Sequence, residues 1–284
     1  MSLQAPVLLV IPLYIVAILI EWRLVARRRE AGEQALRGHD TRDSWTSVLA
    51  GSTALIAWVP INLTTLVLAT WLWEHRLVDL GTGLLGWALA LLGWDFSFYW
   101  KHRMEHAVRL LWAGHVTHHS SEYFNLTTAV RQSWTPWAGP FFYVWWGLLG
   151  IRPEMIFAAA GLNLFYQFWI HTEAVGRLPA GVEWWLNTPS HHRVHHGSNP
   201  QYLDCNYGGV LIVWDRLFRS FAPEGERVVY GLTKDIRSFN PLRVQLHEYA
   251  AIARDLRRRE PWRWRLKYVF GSPTWRNALD VASA

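Results

Sequence analysis

The chain has 284 residues, of which 51% are hydrophobic, 15% aromatic and only 18% charged. Soluble domains usually carry about 25% charged residues, so this composition excludes both an ordinary soluble enzyme and a disordered chain. Cys205 is the only cysteine, which excludes a disulfide framework. The 20 tryptophans and 13 histidines stand out, because tryptophan is enriched at membrane interfaces and histidine is the commonest metal ligand.

The formal net charge is +6, and nearly all of the positive charge comes from arginine. The arginines lie beside apolar runs, for example at positions 23–29 and 254–265, rather than in a stripe across a polar domain. Basic residues next to apolar segments are typical of proteins on an anionic membrane surface. The distribution therefore favours a lipid bilayer as a partner and does not favour nucleic acid.

Five apolar runs, at positions 6–22, 45–73, 80–100, 134–150 and 154–170, come first along the chain. A helix needs about 20 apolar residues to cross a bilayer, so the first three runs predict membrane spans, with a kink at Pro60. The last two are shorter and predict a helical hairpin that penetrates only partly. The first run has no positive charge before it and no small-residue cleavage site before Arg23, so we expect a retained anchor rather than a signal peptide. The alternative is that all five are core helices of a soluble protein.

Arginines between the first two runs mark that segment as cytoplasmic by the positive-inside rule. Counting crossings from there places residues 101–133 and 171–284 on the same side. The sequence thus predicts a single all-α domain over residues 1–284, an integral-membrane helical bundle with a cytoplasmic, histidine-rich helical cap. The arginine-rich, lysine-poor composition is typical of GC-rich bacteria, so we expect a bacterial inner membrane.

Ten of the 13 histidines fall into four groups that follow or flank these runs. The groups are His102-Arg-Met-Glu-His106, His115-Val-Thr-His118-His119, the lone His171, and His191-His192-Arg-Val-His195-His196. Residues three or four apart share one face of a helix, so each multiple group can present several imidazoles to one point.

So many imidazoles beside an apolar slab would be costly without partners, and metal coordination provides those partners. Nine or ten ligands exceed what one ion binds, so the sequence predicts two ions. Structural zinc sites commonly use thiolates, whereas imidazole also suits iron. An all-histidine pair of ions beside a lipid phase indicates oxygen chemistry on a hydrocarbon, and hence two iron ions.

Two other kinds of membrane protein also use histidines. A metal transporter would carry them along a path at mid-membrane depth, whereas here they flank the runs on one predicted side. A zinc-dependent membrane hydrolase would need the glutamate of an HExxH motif as general base. That glutamate directly follows the first histidine, whereas Glu105 directly precedes the second histidine of its group. Both alternatives are therefore less favoured than an oxygenase.

Longer motifs at residues 95–106, 111–121 and 192–196 resemble those of the fatty acid hydroxylase/sterol desaturase superfamily of integral-membrane di-iron oxygenases. Segments 125–133, 167–173, 187–197 and 206–218 are similar to alkylglycerol monooxygenases and their bacterial relatives. The resemblance covers about residues 45–225. It implies a single domain of the fatty acid hydroxylase type.

The resemblance also implies a set of iron ligands. The nine implied ligands are His102, His106, His115, His118, His119, His171, His192, His195 and His196. His191 is added because Gln167 stands where hydroxylase relatives carry a further histidine. Asp95, two helical turns before His102, is expected to orient an imidazole, and Asn125 and Asp204 are further candidates, with Asn206 and Asp215. An ordinary turn is the alternative for residues 204–206.

The implied activity is that of a lipid hydroxylase, in which O2 is consumed to convert a C–H bond of a lipid substrate to an alcohol. Hydroxylation beside an ether oxygen would cleave an ether lipid, whereas removal of a second hydrogen would make the protein a lipid or sterol desaturase. The sequence contains no flavin motif, and its one GxGxxG match, at positions 81–86, opens an apolar run without a preceding strand. Electrons are therefore expected from outside, from a reduced pterin or a redox protein.

Overall fold

The computed structural model describes residues 5–275, and over these residues the protein is helical, with two isolated β-bridges and no strand. The first nine helices are α1 (Ala5–Glu30), α2 (Thr41–Glu74), α3 (Leu84–Ala107), α4 (Arg109–Ala113), α5 (Val116–His119), α6 (Leu126–Ala129), α7 (Gly139–Tyr143), α8 (Trp145–Leu148) and α9 (Pro153–Trp169). They are followed by α10 (Ala180–Trp185), α11 (Pro189–His195), α12 (Val213–Leu217), α13 (Pro241–Leu256) and α14 (Trp262–Phe270). The all-α prediction is confirmed for the described residues.

By length and composition, α2 is the one helix among the described residues that could cross a membrane. It has 34 residues, which is about 51 Å of helix, and it continues through Pro60. The Asp40 carboxylate caps it by accepting a hydrogen bond from the Asp43 amide at 2.9 Å. Ile56 and Val67 are 75% and 66% exposed on its surface, which suits contact with an apolar phase.

The long helices α1, α2, α3 and α9 all bring one end to the same region. There α3 and the end of α9 supply His102 and His171, while α1 and the start of α2 contact residues 121–131. At the opposite end, the segment after α2 pairs with the end of α8, where the Leu77 amide donates to the Leu148 carbonyl at 2.9 Å. The histidines therefore gather at one end of the bundle.

The fourth apolar run folds as two short helices, α7 and α8, which meet at Val144. Pro136 precedes α7, and Pro140 occupies its first turn. Gly147 in α8 lies against the Ala69 carbonyl so closely that a Cβ atom would come within 2.5 Å of it. The run thus forms a broken arm that packs on α2 and α3, and α9 forms the returning arm.

The larger apolar core cluster lies in the half of the bundle away from the histidines, between α2, α3, α8 and α9, and a smaller one that includes Phe124 and Val194 lies beside the histidines. The buried members of the larger cluster are Ala69, Leu72, Ala90, Trp94, Val144, Ile151, Met155, Ile156 and Ala159. The other half is filled mainly by buried polar side chains, which positions it for chemistry rather than for packing alone.

Candidate metal centre

Nine of the ten expected ligands come together in two adjoining groups, and all nine are buried or half-buried. The first group is His102, His106, His115, His119 and His195, and the second group is His118, His171, His192 and His196. Within each group the ligand atoms lie within 4.8 Å of one another. Across the boundary, the rings of His119 and His196 stack with centres 4.3 Å apart. Two ions held by these groups would lie side by side.

Helical spacing explains how short segments serve both groups. Helix α3 runs unbroken from its apolar part to Ala107, so His102 and His106 project from one face of its last turns. The single turn of α5 divides its pair, sending His118 to the second group and His119 to the first. The histidines of α11 and its C-cap are also divided, because His195 belongs to the first group and His192 and His196 belong to the second. These two short helices therefore fix the position of one group relative to the other.

Backbone carbonyls hold four of the imidazoles through their Nδ1 atoms. The pairs are His102 with Tyr207 (2.8 Å), His118 with Arg131 (3.2 Å), His171 with Gln167 (2.7 Å) and His195 with Cys205 (2.9 Å). A carbonyl oxygen can only accept, so Nδ1 of each ring carries the hydrogen. Each Nε2 atom is therefore left with a bare lone pair, the form in which imidazole binds a metal ion.

These Nε2 atoms face one another instead of a donor. His118 Nε2 and His171 Nε2 are 3.1 Å apart, although Nδ1 holds the hydrogen of both rings. Burial and neighbouring imidazoles lower the pKa of His118 to about 3 and the pKa of His171 well below its ordinary value. Both rings are therefore uncharged at neutral pH. Two lone pairs at this distance repel each other, and a cation between them would turn that repulsion into coordination.

Close pairs of Nε2 atoms occur throughout both groups. The Nε2 atom of His115 is 2.9 Å from that of His102 and 3.0 Å from that of His119, and the Nε2 atom of His171 is 2.9 Å from that of His192. Nε2 of His106, His195 and His196 is buried without a hydrogen-bond partner among the described residues. Two nitrogens about 2.1 Å from one ion and at right angles to each other are about 3.0 Å apart. The donor set therefore fits adjacent ligands of metal ions.

Asp95 does not reach an imidazole, the role expected from its position two turns before His102. Its carboxylate accepts hydrogen bonds from the amides of Val210 and Leu211, at 2.8 and 3.2 Å, and from the indole of Trp214 at 2.9 Å. It thus anchors the loop 207–214. Since this loop supplies the carbonyl that holds His102, Asp95 supports that imidazole indirectly.

Asp215 secures the other side of the same loop. Its two oxygens accept the amides of Tyr207 and Gly208 at 2.8 and 2.7 Å, and Oδ1 also accepts the Ser220 hydroxyl at 2.7 Å. Desolvation by burial raises the pKa of Asp215 to about 6. The two carboxylates therefore act on the first group through the backbone rather than by direct contact with a histidine.

Residues 204–206 form a turn that also belongs to the surroundings of the first group. Asp204 and Asn206 have φ of 59° and 57°, a left-handed conformation that short polar residues tolerate. In this turn the carbonyl of Cys205 faces His195, and Oδ1 of Asp204 lies 3.7 Å from Nδ1 of His106. The segment is therefore a turn, and this is compatible with the expectation that Asp204 lies near the imidazoles.

His191 and Asn125 lie outside both groups. Nε2 of His191 is 3.6 Å from the Glu183 carboxylate, and its Nδ1 is 3.3 Å from the Thr188 hydroxyl. Successive helical residues point 100° apart, so His191 is turned toward α10 while its neighbour His192 faces the second group. Asn125 caps α6, and its amide donates to the Gly38 carbonyl at 3.0 Å.

Two buried polar clusters, which the sequence analysis did not single out, support the second group. Arg131 is 2% exposed and pairs with Asp43 of α2 at 2.5 Å. Glu21 of α1 is 5% exposed and accepts the Leu126 amide at 2.8 Å and the hydroxyl of Thr172, the residue after His171. The signal that could have revealed Glu21 is its place as the one acidic residue within the apolar run 6–22.

The sequence model described as Fatty acid hydroxylase matches residues 87–220, a segment that contains all nine clustered histidines. The chain belongs to the fatty acid hydroxylase family. It is 43% identical to the alkylglycerol monooxygenase of Xenopus tropicalis over 82% of this chain and 52% of that protein. The human alkylglycerol monooxygenase is 46% identical over 74% of this chain and 47% of its own length.

A Delta(7)-sterol 5(6)-desaturase of Schizosaccharomyces pombe is 29% identical over 57% of this chain and 51% of that protein. This fatty acid hydroxylase family member spans about half the length of the curated alkylglycerol monooxygenases it matches. No solved structure matches the chain. The family match includes Asp95 and Asp215, whereas Glu21 and Asp43 precede it.

Proposed function

We propose that this protein is a membrane-bound di-iron monooxygenase that uses O2 to hydroxylate a C–H bond of a lipid. The observation that carries the proposal is the pairing of bare Nε2 atoms within two adjoining groups of buried histidines. The family is iron-dependent, and imidazole is a good iron ligand. The five histidines of the first group would together hold one ion, and the four of the second group would hold the other.

Bound iron would supply O2 binding and the one-electron steps that side chains lack. The protein's own groups orient the ligands and keep water away from the reacting bond. Phe124, 1% exposed, lies 5.0 Å from His196 between ring centres, and Tyr207, 4% exposed, lies 5.3 Å from His106. Rings packed against the ligands in this way make the centre dry, as oxidation of a C–H bond requires.

An ether lipid of the alkylglycerol class is the proposed substrate, supported by the names of relatives that are 43% and 46% identical. Hydroxylation would consume one O2, two electrons and two protons, and would release one water molecule. At a carbon that carries the ether oxygen, the product is a hemiacetal, which collapses to an aldehyde and a free alcohol. A reduced pterin or a redox protein would donate the electrons.

The proposed membrane arrangement is a multi-pass bundle formed by α1, α2, α3 and the hairpin of α7 to α9, within a single domain. The bundle would lie in the inner membrane of a bacterium, with its histidine end facing the cytoplasm. In support, the last turn of α1 carries Arg27, Arg28 and Arg29, and that end of the helix adjoins the histidine groups. Arginine-rich ends lie on the cytoplasmic side of membrane helices.

The test uses the full chain, loaded with iron in lipid nanodiscs and supplied with an alkylglycerol, ¹⁸O2 and either a tetrahydropterin or a reduced ferredoxin-type protein. We expect on the order of two irons per chain, as in paired-ion sites, and one ¹⁸O atom in the trapped aldehyde. His115→Ala is the inactive control. Zinc without O2 uptake would indicate a hydrolase, and a product two hydrogens lighter would indicate a desaturase; either result contradicts the proposal.

A further inference from the structure

Helix α14, near the end of the described chain, carries an exposed apolar stripe. Trp262, Leu266 and Phe270 follow one another at four-residue spacing and are 73%, 47% and 60% exposed. Residues four apart lie on one face of a helix, so the three side chains form a continuous surface. Large apolar side chains exposed together mark a contact surface rather than chance exposure.

Basic side chains border this stripe. Arg263, Arg265 and Lys267 are exposed on α14, and Arg257 and Arg259 precede it. The Lys267 ammonium lies 4.9 Å from the centre of the Trp264 ring, and the Arg263 guanidinium lies 5.5 Å from the same ring. Long cationic side chains in such positions cover apolar surface while their charges stay in water.

The two acidic residues of this segment already have partners. Asp255 pairs with Arg109 at 2.6 Å, and Glu260 accepts the Tyr268 hydroxyl at 2.9 Å. Helix α14 itself carries three basic residues and no acidic one, so its outer surface is positive. A positive surface around an apolar stripe is complementary to anionic lipid headgroups above an apolar layer.

The attachment of α14 and its neighbour α13 places this surface beside the ends of two bundle helices. The Arg109 amide, just after α3, donates to the Gly271 carbonyl at 2.9 Å. Before α13, the Phe239 carbonyl accepts the Thr46 hydroxyl of α2 at 2.9 Å. Leu242 of α13 is 58% exposed as well. Both helices thus lie at the histidine end of the bundle, where α2 and α3 would leave the bilayer.

We propose that α14, together with the exposed face of α13, lies flat on an anionic lipid surface. The stripe would enter the boundary between headgroups and acyl chains, and the arginines would contact headgroup phosphates. This inference rests on the membrane placement in the proposed function. Each basic residue near an anionic surface contributes roughly fivefold to such binding. The contact would hold the histidine end of the protein against the leaflet that contains its lipid substrate.

The test places an environment-sensitive fluorescent amino acid at position 266 of the full, iron-loaded chain in nanodiscs. The same label at position 234, in an exposed loop outside α13 and α14, is the matched control. In nanodiscs that contain phosphatidylglycerol, we expect blue-shifted emission at position 266, quenched by nitroxide-labelled lipid, and aqueous emission at position 234. Pure phosphatidylcholine should reduce the quenching at position 266.

Charge reversal tests the electrostatic part. Arg263→Glu with Arg265→Glu should lower the lipid-contacting fraction at position 266 at least about tenfold with phosphatidylglycerol, since roughly fivefold is lost per charge. The control double variant, Lys234→Glu with Arg237→Glu, should leave the lipid-contacting fraction at position 266 unchanged. Aqueous emission at position 266 in both lipids overturns the inference, as does shielding without lipid quenching, which would indicate a protein partner. Quenching that is insensitive to lipid charge overturns the anionic preference. Iron content and lipid oxidation in the same nanodiscs report separately on the proposed function.

Discussion

The two histidine groups are supported by different parts of the chain. In the first group, the carbonyls of Tyr207 and Cys205 hold two imidazoles, and Asp95 and Asp215 anchor the loop that follows. All of these residues lie within the family match at 87–220. The support for the first group is therefore contained in the segment that the family shares.

The second group depends on residues that precede this segment. The carbonyl of Arg131 holds His118, and the Arg131 side chain is fixed by Asp43 at the start of α2. Glu21 of α1 binds Thr172, next to His171. The comparison indicates that α1 and α2 complete the surroundings of the second histidine group, in addition to any role as membrane spans.

Removal of one ligand from each group should give the largest effect. His115→Ala takes away the imidazole that faces both His102 and His119, and His171→Ala takes away the one that faces both His118 and His192. A metal ion contributes several kcal/mol to such a reaction, so lipid oxidation should fall at least about 100-fold in both variants. Iron analysis should show each variant losing the ion of its own group first.

The matched control for both substitutions is His247→Ala, because His247 bonds to the Val244 carbonyl of its own helix at 3.0 Å and belongs to neither group. It should keep its iron and activity. Full iron occupancy in both ligand variants would show that the two groups are not the metal sites.

Asp43→Ala should destabilise the protein and empty the second group before the first. It leaves the Arg131 guanidinium buried without its carboxylate, a change that costs about 3–5 kcal/mol in folded proteins. Chemical unfolding of the detergent-solubilised protein measures this cost. Asp40→Ala, which removes only the cap of α2, should cost about 1 kcal/mol and leave the iron content unchanged. Equal losses in the two variants would contradict a specific role for the buried pair.

Asp95→Asn tests the support of the first group. The amide side chain replaces one acceptor oxygen by a donor that would face the Val210 or Leu211 amide, so the loop 207–214 should loosen. Loss of a residue that orients ligands typically weakens metal binding 10–100-fold. Competition with an iron chelator should show this weakening for one of the two ions. Asp79→Asn, at an exposed carboxylate that accepts the Gly81 amide, is the control with no expected change.

The clustering of the histidines was predictable in part, because helical spacing puts His102 and His106 on one face of α3, whereas the full set of nine expected ligands was implied by the family resemblance. The support was not predictable in the same way. Asp95 meets Val210, which is 115 residues away along the chain, so only the folded loop shows which atoms it binds. Likewise, the apolar run 134–150 predicts a helical segment, and only the structure shows that this segment divides at Val144 into α7 and α8.

Glu21→Gln should have a smaller effect, confined to the second group. Glutamine keeps one acceptor for the Leu126 amide, and its amide nitrogen would face the Thr172 hydroxyl, which can accept this bond but then loses the acceptor for its own hydrogen. An unsatisfied buried group of this kind costs about 1–3 kcal/mol, and the His171 segment should become less ordered. The measurement is iron release from the second group on mild heating. Glu30→Gln, exposed on the same helix, should behave like the unchanged protein; equal release from both groups would refute the division of support.

His191→Asn should have the smallest effect. Its imidazole contacts Glu183 and Thr188 on the side away from both groups, so asparagine can keep a hydrogen bond to the hydroxyl. A single buried hydrogen bond contributes about 1 kcal/mol to stability, and the iron content should not change. The adjacent His192→Asn provides the contrast, because His192 Nε2 lies 2.9 Å from that of His171 and its loss should remove iron. Equal iron release from both variants would show that His191 is a ligand and that its side chain faces the second group.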